Sequence, residues 1–227
     1  KENKNLLLNE MKEFLNQYNI YIFGGLAWIF DIKKKNLEEK AENFCFSIYK
    51  IYEFFLKHQK LELRILGIEK FTSIVNSYEH IEDKQKYNDI ERVLEFTKQK
   101  FIKFLVKINI FDLIFGENIH EAIIGRSYHI FSFLYKYKSF TTEQISLLWK
   151  ISQSKYQSIG NDILILFGKL LPEFSKEDCN NILLTVYNMN YNEINEITLK
   201  LLDDLDIKYM VVSKETKEEE IKEEEIK

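Results

Sequence analysis

The chain has 227 residues and a formal net charge of −4, and its length is sufficient to bury one sizeable hydrophobic core. One proline and seven glycines are too few for the many tight turns of an all-β fold, so the composition favours helices. The weak negative charge does not indicate a nucleic-acid-binding protein, which usually presents a basic face.

The N-terminal part predicts two helices separated by a bend. Asn5–Gln17 has apolar residues along one side, and the mixed apolar segment after it bends at Gly24-Gly25. The second helix is clearer, because apolar residues recur at alternating spacings of four and three. They form one stripe that consists of Leu37, Ala41, Phe44, Ile48, Ile51 and Phe55.

Two longer helices are predicted next. The first runs from about Leu61 to Ser77, and the polar stretch EHIEDKQKYND that follows is expected to be a connection. The second carries an apolar stripe from Ile90 to Ile108. The lysines of KQKFIKFLVK, over Lys98–Lys107, are interpreted as solvated edges of this helix rather than as a contact surface for nucleic acid.

The stretch FGENIHEAIIGRS, Phe115–Ser127, predicts the end of one helix and the start of another. Gly116 is expected to close the short turn NIFDLIF in the left-handed conformation, since it has no Cβ. Asn118 is the expected N-cap of the next helix, with Glu121 reaching back to the free backbone N–H groups. His120 then falls on the first helical turn, where a structural role is favoured over a catalytic one.

Capping signals continue along the C-terminal half. TTEQ at 141–144 is a capping box before a helix in which Trp149 is expected in the core. SKED at 175–178 and NYNE at 190–193 are further caps, and IIGRSYHIFSFLYKY and Gln157–Leu171 are expected to be helices. Two consecutive predicted helices together span about 35–40 residues, which is the repeat length of armadillo and HEAT proteins. We therefore predict an all-α armadillo/HEAT-like solenoid of antiparallel helix pairs over residues 1–212.

Residues 213–227 form a charged tail. From Lys214 onward it holds seven glutamates and four lysines, a composition that allows disorder because there is little to bury. Two Glu–Lys pairs at the favourable i, i+4 spacing instead predict a helix if the tail is ordered, with Ile221 against another surface.

No catalytic, metal or cofactor pattern stands out. Cys45 is expected to be a buried thiol within a helix, whereas Cys179 lies on a first helical turn beside Glu177 and Asp178, whose charges oppose thiolate formation. Without paired Cys/His spacings or a glycine-rich phosphate loop, we predict no catalytic residue, metal or cofactor.

No apolar run reaches the length of a membrane span. The two isolated cysteines favour a reducing compartment. We therefore expect a location in the cytoplasm, or in both the cytoplasm and the nucleus.

One segment, Phe101–Tyr156, resembles a known family. It is similar to the armadillo-like helical region of the very large ubiquitin-specific proteases of the fat-facets class, although Glu117 stands where that family often has proline. The resemblance is good over about Leu61–Leu184. It is carried by FGENIH at Phe115–His120, RS at Arg126-Ser127, FL at Phe133-Leu134 and a T..QI..LW pattern that ends at Trp149.

The resemblance implies a parent enzyme that removes ubiquitin with a Cys–His–Asp protease domain. That family's cysteine box, a turn leading to TCY, is matched by neither Cys45 nor Cys179, so no catalytic residue is carried over. Since the chain does not begin with Met, we expect a non-catalytic scaffold segment of a longer protein, with ubiquitinated substrates or adaptor proteins as partners. Two alternatives stay open: a stand-alone helical-repeat adaptor, and a small thiol hydrolase that uses Cys179.

Overall fold

The computed structural model describes residues 37–82, 88–153, 156–189, 194 and 196–205. These ranges contain helices and turns but no strand, so the predicted all-α fold is confirmed for them. None of the described helices is both long enough and apolar enough to cross a bilayer. Outside the described residues lie the predicted helix Asn5–Gln17, the Gly24-Gly25 bend, the NYNE cap and the tail after residue 212.

The chain divides into two units, Lys1–Asn109 and Ile110–Lys227. In the first unit the described helices are α1 (Leu37–Leu56), α2 (Leu61–Glu82) and α3 (Asn88–Lys107). Helix α1 packs against both α2 and α3. Because only residues 57–60 connect α1 to α2, these two neighbours form an antiparallel pair.

Helix α2 is longer than predicted. It continues through Glu82, although the residues after Ser77 were expected to begin a polar connection. Tyr78 explains the difference, since its side chain is buried and its hydroxyl lies 3.2 Å from the hydroxyl of Tyr49 on α1. Packing of this side chain therefore holds a helical turn whose sequence is otherwise polar.

An aromatic cluster forms the core of the first unit. The ring of Phe101 is fully buried, and its centroid lies 4.9 Å from that of Tyr49, 5.9 Å from Tyr78 and 6.0 Å from Phe71. Aromatic pairs at such distances add roughly 0.5–1.5 kcal/mol each to the free energy of burial. Helices α1 and α2 also approach closely at Gly67, where an added Cβ would lie 2.6 Å from the backbone nitrogen of Leu56.

The second unit is built from shorter helices. Its named elements are α4 (Ile110–Phe115), α5 (Glu121–Ile124), α6 (Tyr128–Lys136), α7 (Thr142–Ser152), α8 (Gln157–Leu170), the 3₁₀ turn (Leu171–Glu173) and α9 (Lys176–Tyr187). Helix α8 is the centre of this unit, because it packs against α5, α6 and α7 and against the 3₁₀ turn that follows it. Residues 196–205 are also helical, with Leu201 and Leu205 buried.

Most predicted helix ends in the second unit are confirmed. Thr141 and Gln144 form the expected capping box at α7, and Ser175 caps α9 by accepting a hydrogen bond from the backbone N–H of Asp178. The prediction of one helix through IIGRSYHIFSFLYKY is wrong, because α5 ends at Ile124 and α6 begins at Tyr128.

Candidate functional site

The helix break predicted at Gly116 is present, but its geometry differs from the prediction. Helix α4 ends at Phe115, and no glycine among the described residues has a positive φ. Gly116 is therefore not a left-handed closing residue. Its backbone N–H donates to the carbonyl oxygen of Asp112 at 2.9 Å, and an added Cβ would collide with that same oxygen. A close backbone approach, rather than a left-handed turn, disfavours a larger residue here.

His120, not Asn118, is the N-cap of helix α5. Its Nδ1 accepts a hydrogen bond from the backbone N–H of Ala122 at 3.1 Å, and its backbone is extended as an N-cap requires. Asn118 lies exposed in the preceding turn, and Glu121 is the first helical residue, so the predicted capping box is wrong. Because Nδ1 must carry a lone pair to accept this bond, the geometry uses His120 as a structural imidazole.

Trp149 lies in the core, as predicted. Only 4% of its surface is exposed, and its ring meets that of Phe167 on α8 edge-on, with the centroids 5.8 Å apart. Trp149 is therefore a packing residue between α7 and α8, and its ring is not presented to a protein partner.

Both cysteines are buried thiols. Burial raises the pKa of Cys45 to about 11, so this thiol stays protonated at neutral pH, and Cys179 is 2% exposed. A nucleophilic cysteine needs an accessible thiolate. These surroundings are typical of structural thiols and do not favour the alternative hydrolase centred on Cys179. No cluster of three or more His, Cys, Asp or Glu side chains suited to a metal ion occurs within the described ranges.

The carboxylate of Asp178 is the centre of a polar network in the second unit. It is 6% exposed and accepts hydrogen bonds from the hydroxyls of Tyr135 at 2.6 Å, Ser175 at 2.7 Å and Thr142 at 2.8 Å. The hydroxyl of Tyr135 also accepts from the backbone N–H of Ser175 at 2.6 Å. The capping motif SKED predicted the contact to Ser175, but the contacts to α6 and α7 have no local signal.

A groove between α1 and α3 is the best candidate for an interaction surface in the first unit. Its cavity measures about 140 Å³. We call it the basic groove. Its lining residues are Cys45, Phe46, Tyr49, Thr97, Lys100, Lys103, Phe104 and Lys107.

The walls of the basic groove are apolar and its edge is cationic. Phe46 is 41% exposed, and its ring lies edge-on to that of Phe104 with the centroids 5.7 Å apart. The ammonium of Lys50 lies 5.6 Å and 5.5 Å from the centroids of these two rings, within the range of a cation–π contact. Lys103 and Lys107 project along the exposed face of α3.

The interpretation of Lys98–Lys107 as solvated edges is therefore only partly correct. Lys98 is buried and forms an ion pair with Glu95 at 2.5 Å. Lys50 is likewise paired, because Glu53 accepts from it at 2.7 Å and from Lys57 at 2.6 Å. Burial alone would raise the pKa of Glu53, but these two hydrogen bonds lower it below its usual value.

Comparisons with known proteins agree with this architecture. Residues 45–220 match the family model described as the UBP24/USP9X/USP9Y ARM repeat. The match extends over more than half of the chain, and the protein belongs to this armadillo-repeat family. The predicted resemblance and the armadillo-like fold class are thereby confirmed. Armadillo repeats present surfaces to other proteins, so protein binding is the general activity of the class.

A curated relative is the ubiquitin carboxyl-terminal hydrolase puf of Drosophila melanogaster. It is 24% identical over 98 residues, which cover 43% of this chain and 2% of the relative. The chain thus spans only a small fraction of the length of this relative. No solved structure matches the chain.

Proposed function

We propose that this chain is a non-catalytic helical scaffold segment of a ubiquitin-specific cysteine protease. The observation that carries the proposal is the ARM-repeat family match over residues 45–220. The ubiquitin-hydrolase name of the relative supports it. In this proposal, the catalytic domain lies elsewhere in the longer protein. That protein acts either in the cytoplasm alone or in both the cytoplasm and the nucleus.

The scaffold holds protein partners, namely ubiquitinated substrates or adaptors, and so positions them for cleavage. Stacked helical repeats suit this task because each repeat adds surface while contacting only its neighbours. Holding a substrate near a protease raises its effective concentration without any contribution to the chemical step. The buried state of both cysteines supports this division of labour.

The complete reading frame provides the first test. We expect a cysteine box ending in TCY and a matching histidine box in the same polypeptide as this segment. Their absence would contradict the proposal and leave the stand-alone helical adaptor as the remaining interpretation.

Kinetics of the full-length protein provide a second test. Deletion of residues 37–205 should leave the turnover of a small fluorogenic ubiquitin substrate unchanged, because the protease domain is intact. It should slow the cleavage of a polyubiquitinated protein that the scaffold holds. Equal loss on both substrates would contradict a scaffold role.

Labelling by an electrophilic ubiquitin probe tests the hydrolase alternative on the present chain. We expect no labelling of either cysteine. A probe adduct that disappears in Cys179→Ala but persists in Cys45→Ala would favour a thiol hydrolase and contradict the scaffold.

A further inference from the structure

We propose that the basic groove of the first unit binds an acidic peptide segment of a partner protein, with one aromatic or large aliphatic side chain of that peptide inserted between α1 and α3. This inference deepens the scaffold function proposed above and rests on it for its biological role. The chemistry of the groove itself depends only on the lining residues.

The cavity has the size of one ring-shaped side chain. Its volume is about 140 Å³. An engineered apolar cavity of about 150 Å³ in another protein accepts a benzene molecule. Phe46 and Phe104 supply apolar walls, and Cys45 keeps its proton because burial raises its pKa to about 11. An uncharged floor of this kind favours an apolar anchor over a charged one.

The exposed apolar wall of the groove favours binding of the peptide's apolar side chain. Phe46 is 41% exposed although its neighbours Cys45 and Tyr49 are each 2% exposed. A single exposed apolar residue on a protein surface is ordinary. This one borders a cavity, so an inserted side chain would remove the Phe46 ring from water as well as itself.

The cationic edge defines the charge of the peptide. Lys100, Lys103 and Lys107 all line the groove from α3, and none of the lining residues that the structure describes is acidic. Their spacing of three and four residues places them along one face of the helix, over about 10 Å. An extended peptide covers that distance in roughly three residues. Carboxylates on both sides of one apolar residue therefore match the three lysines.

The same geometry favours a peptide over a nucleic acid. Three lysines over one helical face form a short positive track, whereas binding to a phosphate backbone uses basic surface along many phosphates.

Fluorescence anisotropy with the full chain tests the proposal. The probe is a labelled peptide of glutamates around one central phenylalanine, and a second probe has alanine in place of that phenylalanine. We expect saturable binding of the first probe that weakens with salt, and weaker binding of the second. The double variant Lys103→Glu/Lys107→Glu should bind the first probe about tenfold more weakly, since two attractive pairs become repulsive.

A matched control separates local from global charge. Lys150→Glu/Lys169→Glu changes the net charge by the same amount at two exposed lysines of the second unit and should leave the affinity unchanged. Phe46→Ser should weaken binding of the phenylalanine probe to the level of the alanine probe. Circular dichroism melts verify that each variant is folded. If Phe46→Ser does not fold, the two double lysine variants, which change only exposed residues, still test the proposal.

Several outcomes would overturn the proposal. These are no binding of the phenylalanine probe, equal loss of affinity in both double variants, or oligothymidine binding as tightly with the same sensitivity to Lys103 and Lys107. None of them bears on whether a protease domain occurs in the same reading frame. Conversely, a reading frame without that domain would refute the proposed function and leave the measured affinity of the groove intact.

Discussion

Tyr135 of α6 donates a hydrogen bond of 2.6 Å to the carboxylate of Asp178 on α9, across 43 residues of sequence. The same phenol oxygen accepts from the backbone N–H of Ser175, the N-cap of α9. One side chain therefore joins the start of α9 to an earlier helix and satisfies a buried carboxylate. Burial, followed by the hydrogen bond to Asp178, raises the pKa of Tyr135 above its usual value.

Loss of the Tyr135 hydroxyl should destabilise the second unit. Tyr135→Phe keeps the ring packed on Phe174 but leaves Asp178 with one donor fewer and the Ser175 N–H without its acceptor. We expect a loss of about 1–2 kcal/mol in the free energy of unfolding, measured by urea denaturation. Tyr156→Phe, at a tyrosine that is 72% exposed, is the control and should change little. Equal stability of the two variants would show that the network contributes nothing.

Replacement of the true N-cap of α5 should cost more than replacement of the predicted one. His120→Ala removes the acceptor for the Ala122 N–H and should cost about 1 kcal/mol. His120→Asn should recover much of that loss, because asparagine is a strong N-cap residue. Asn118→Ala, which the sequence predicted to be the costly change, should be nearly neutral. Thermal melts of the three variants decide between the two assignments.

Alanine substitutions at Gly116 and at Gly125, nine residues apart, should have opposite effects on stability. Gly116→Ala places a Cβ against the Asp112 carbonyl oxygen and should destabilise the protein by roughly 1–2 kcal/mol. At Gly125 the Cβ would lie 3.5 Å from the carbonyl oxygen of Glu121, and φ is −58°, so alanine fits without strain. Gly125→Ala should be neutral or stabilise by up to about 1 kcal/mol. Similar unfolding midpoints for both variants would contradict this reasoning.

Truncation of Trp149 should strongly destabilise the second unit. Trp149→Ala removes a buried ring that contacts Phe167 and leaves a cavity, for an expected cost of roughly 3–5 kcal/mol. The nearby Leu147 is 44% exposed, so Leu147→Ala should cost far less. Chemical denaturation of both variants provides the comparison, and a tolerated Trp149→Ala would place the ring outside the core.

The first unit should lose stability at alkaline pH. Burial raises the pKa of Tyr52 from its usual value of 10.0 to about 12. The unfolded chain therefore releases the phenol proton first. The stability that the neutral phenol contributes is fully present below pH 10 and is lost between pH 10 and 12, by about 2 kcal/mol for this group. Denaturation across this range should show a smaller decline in Tyr52→Phe, and identical pH profiles would contradict the assignment.

Local signals in the sequence determined the helical class and many helix boundaries. The capping box of Thr141 and Gln144 and the cap at Ser175 form as predicted because their partners lie within three residues along the chain. The apolar stripe of α1 likewise depends only on the helical period. Of its described members, Ile48 and Phe55 are buried and Ile51 is partly exposed. The family motif over Phe101–Tyr156 is equally local, which is why the armadillo class could be recognised without coordinates.

Where two local signals compete, packing decided the outcome. Asn118 and His120 can both supply a side-chain acceptor, but Ile123 and Ile124 are fully buried and hold α5 at a start that makes His120 the cap. Tyr78 similarly extends α2 beyond its polar boundary, because its burial against α1 outweighs the low apolar content of the turn.

The partners of Asp178 and the walls of the basic groove were decided only by tertiary structure. Tyr135 and Thr142 reach Asp178 across 43 and 36 residues, and Phe46 meets Phe104 from a different helix. Helical periodicity places each side chain on a face of its own helix but contains no information about which helix that face meets. Solvated lysines and groove-lining lysines therefore have the same sequence pattern, and only the packing of α1 against α3 distinguishes them.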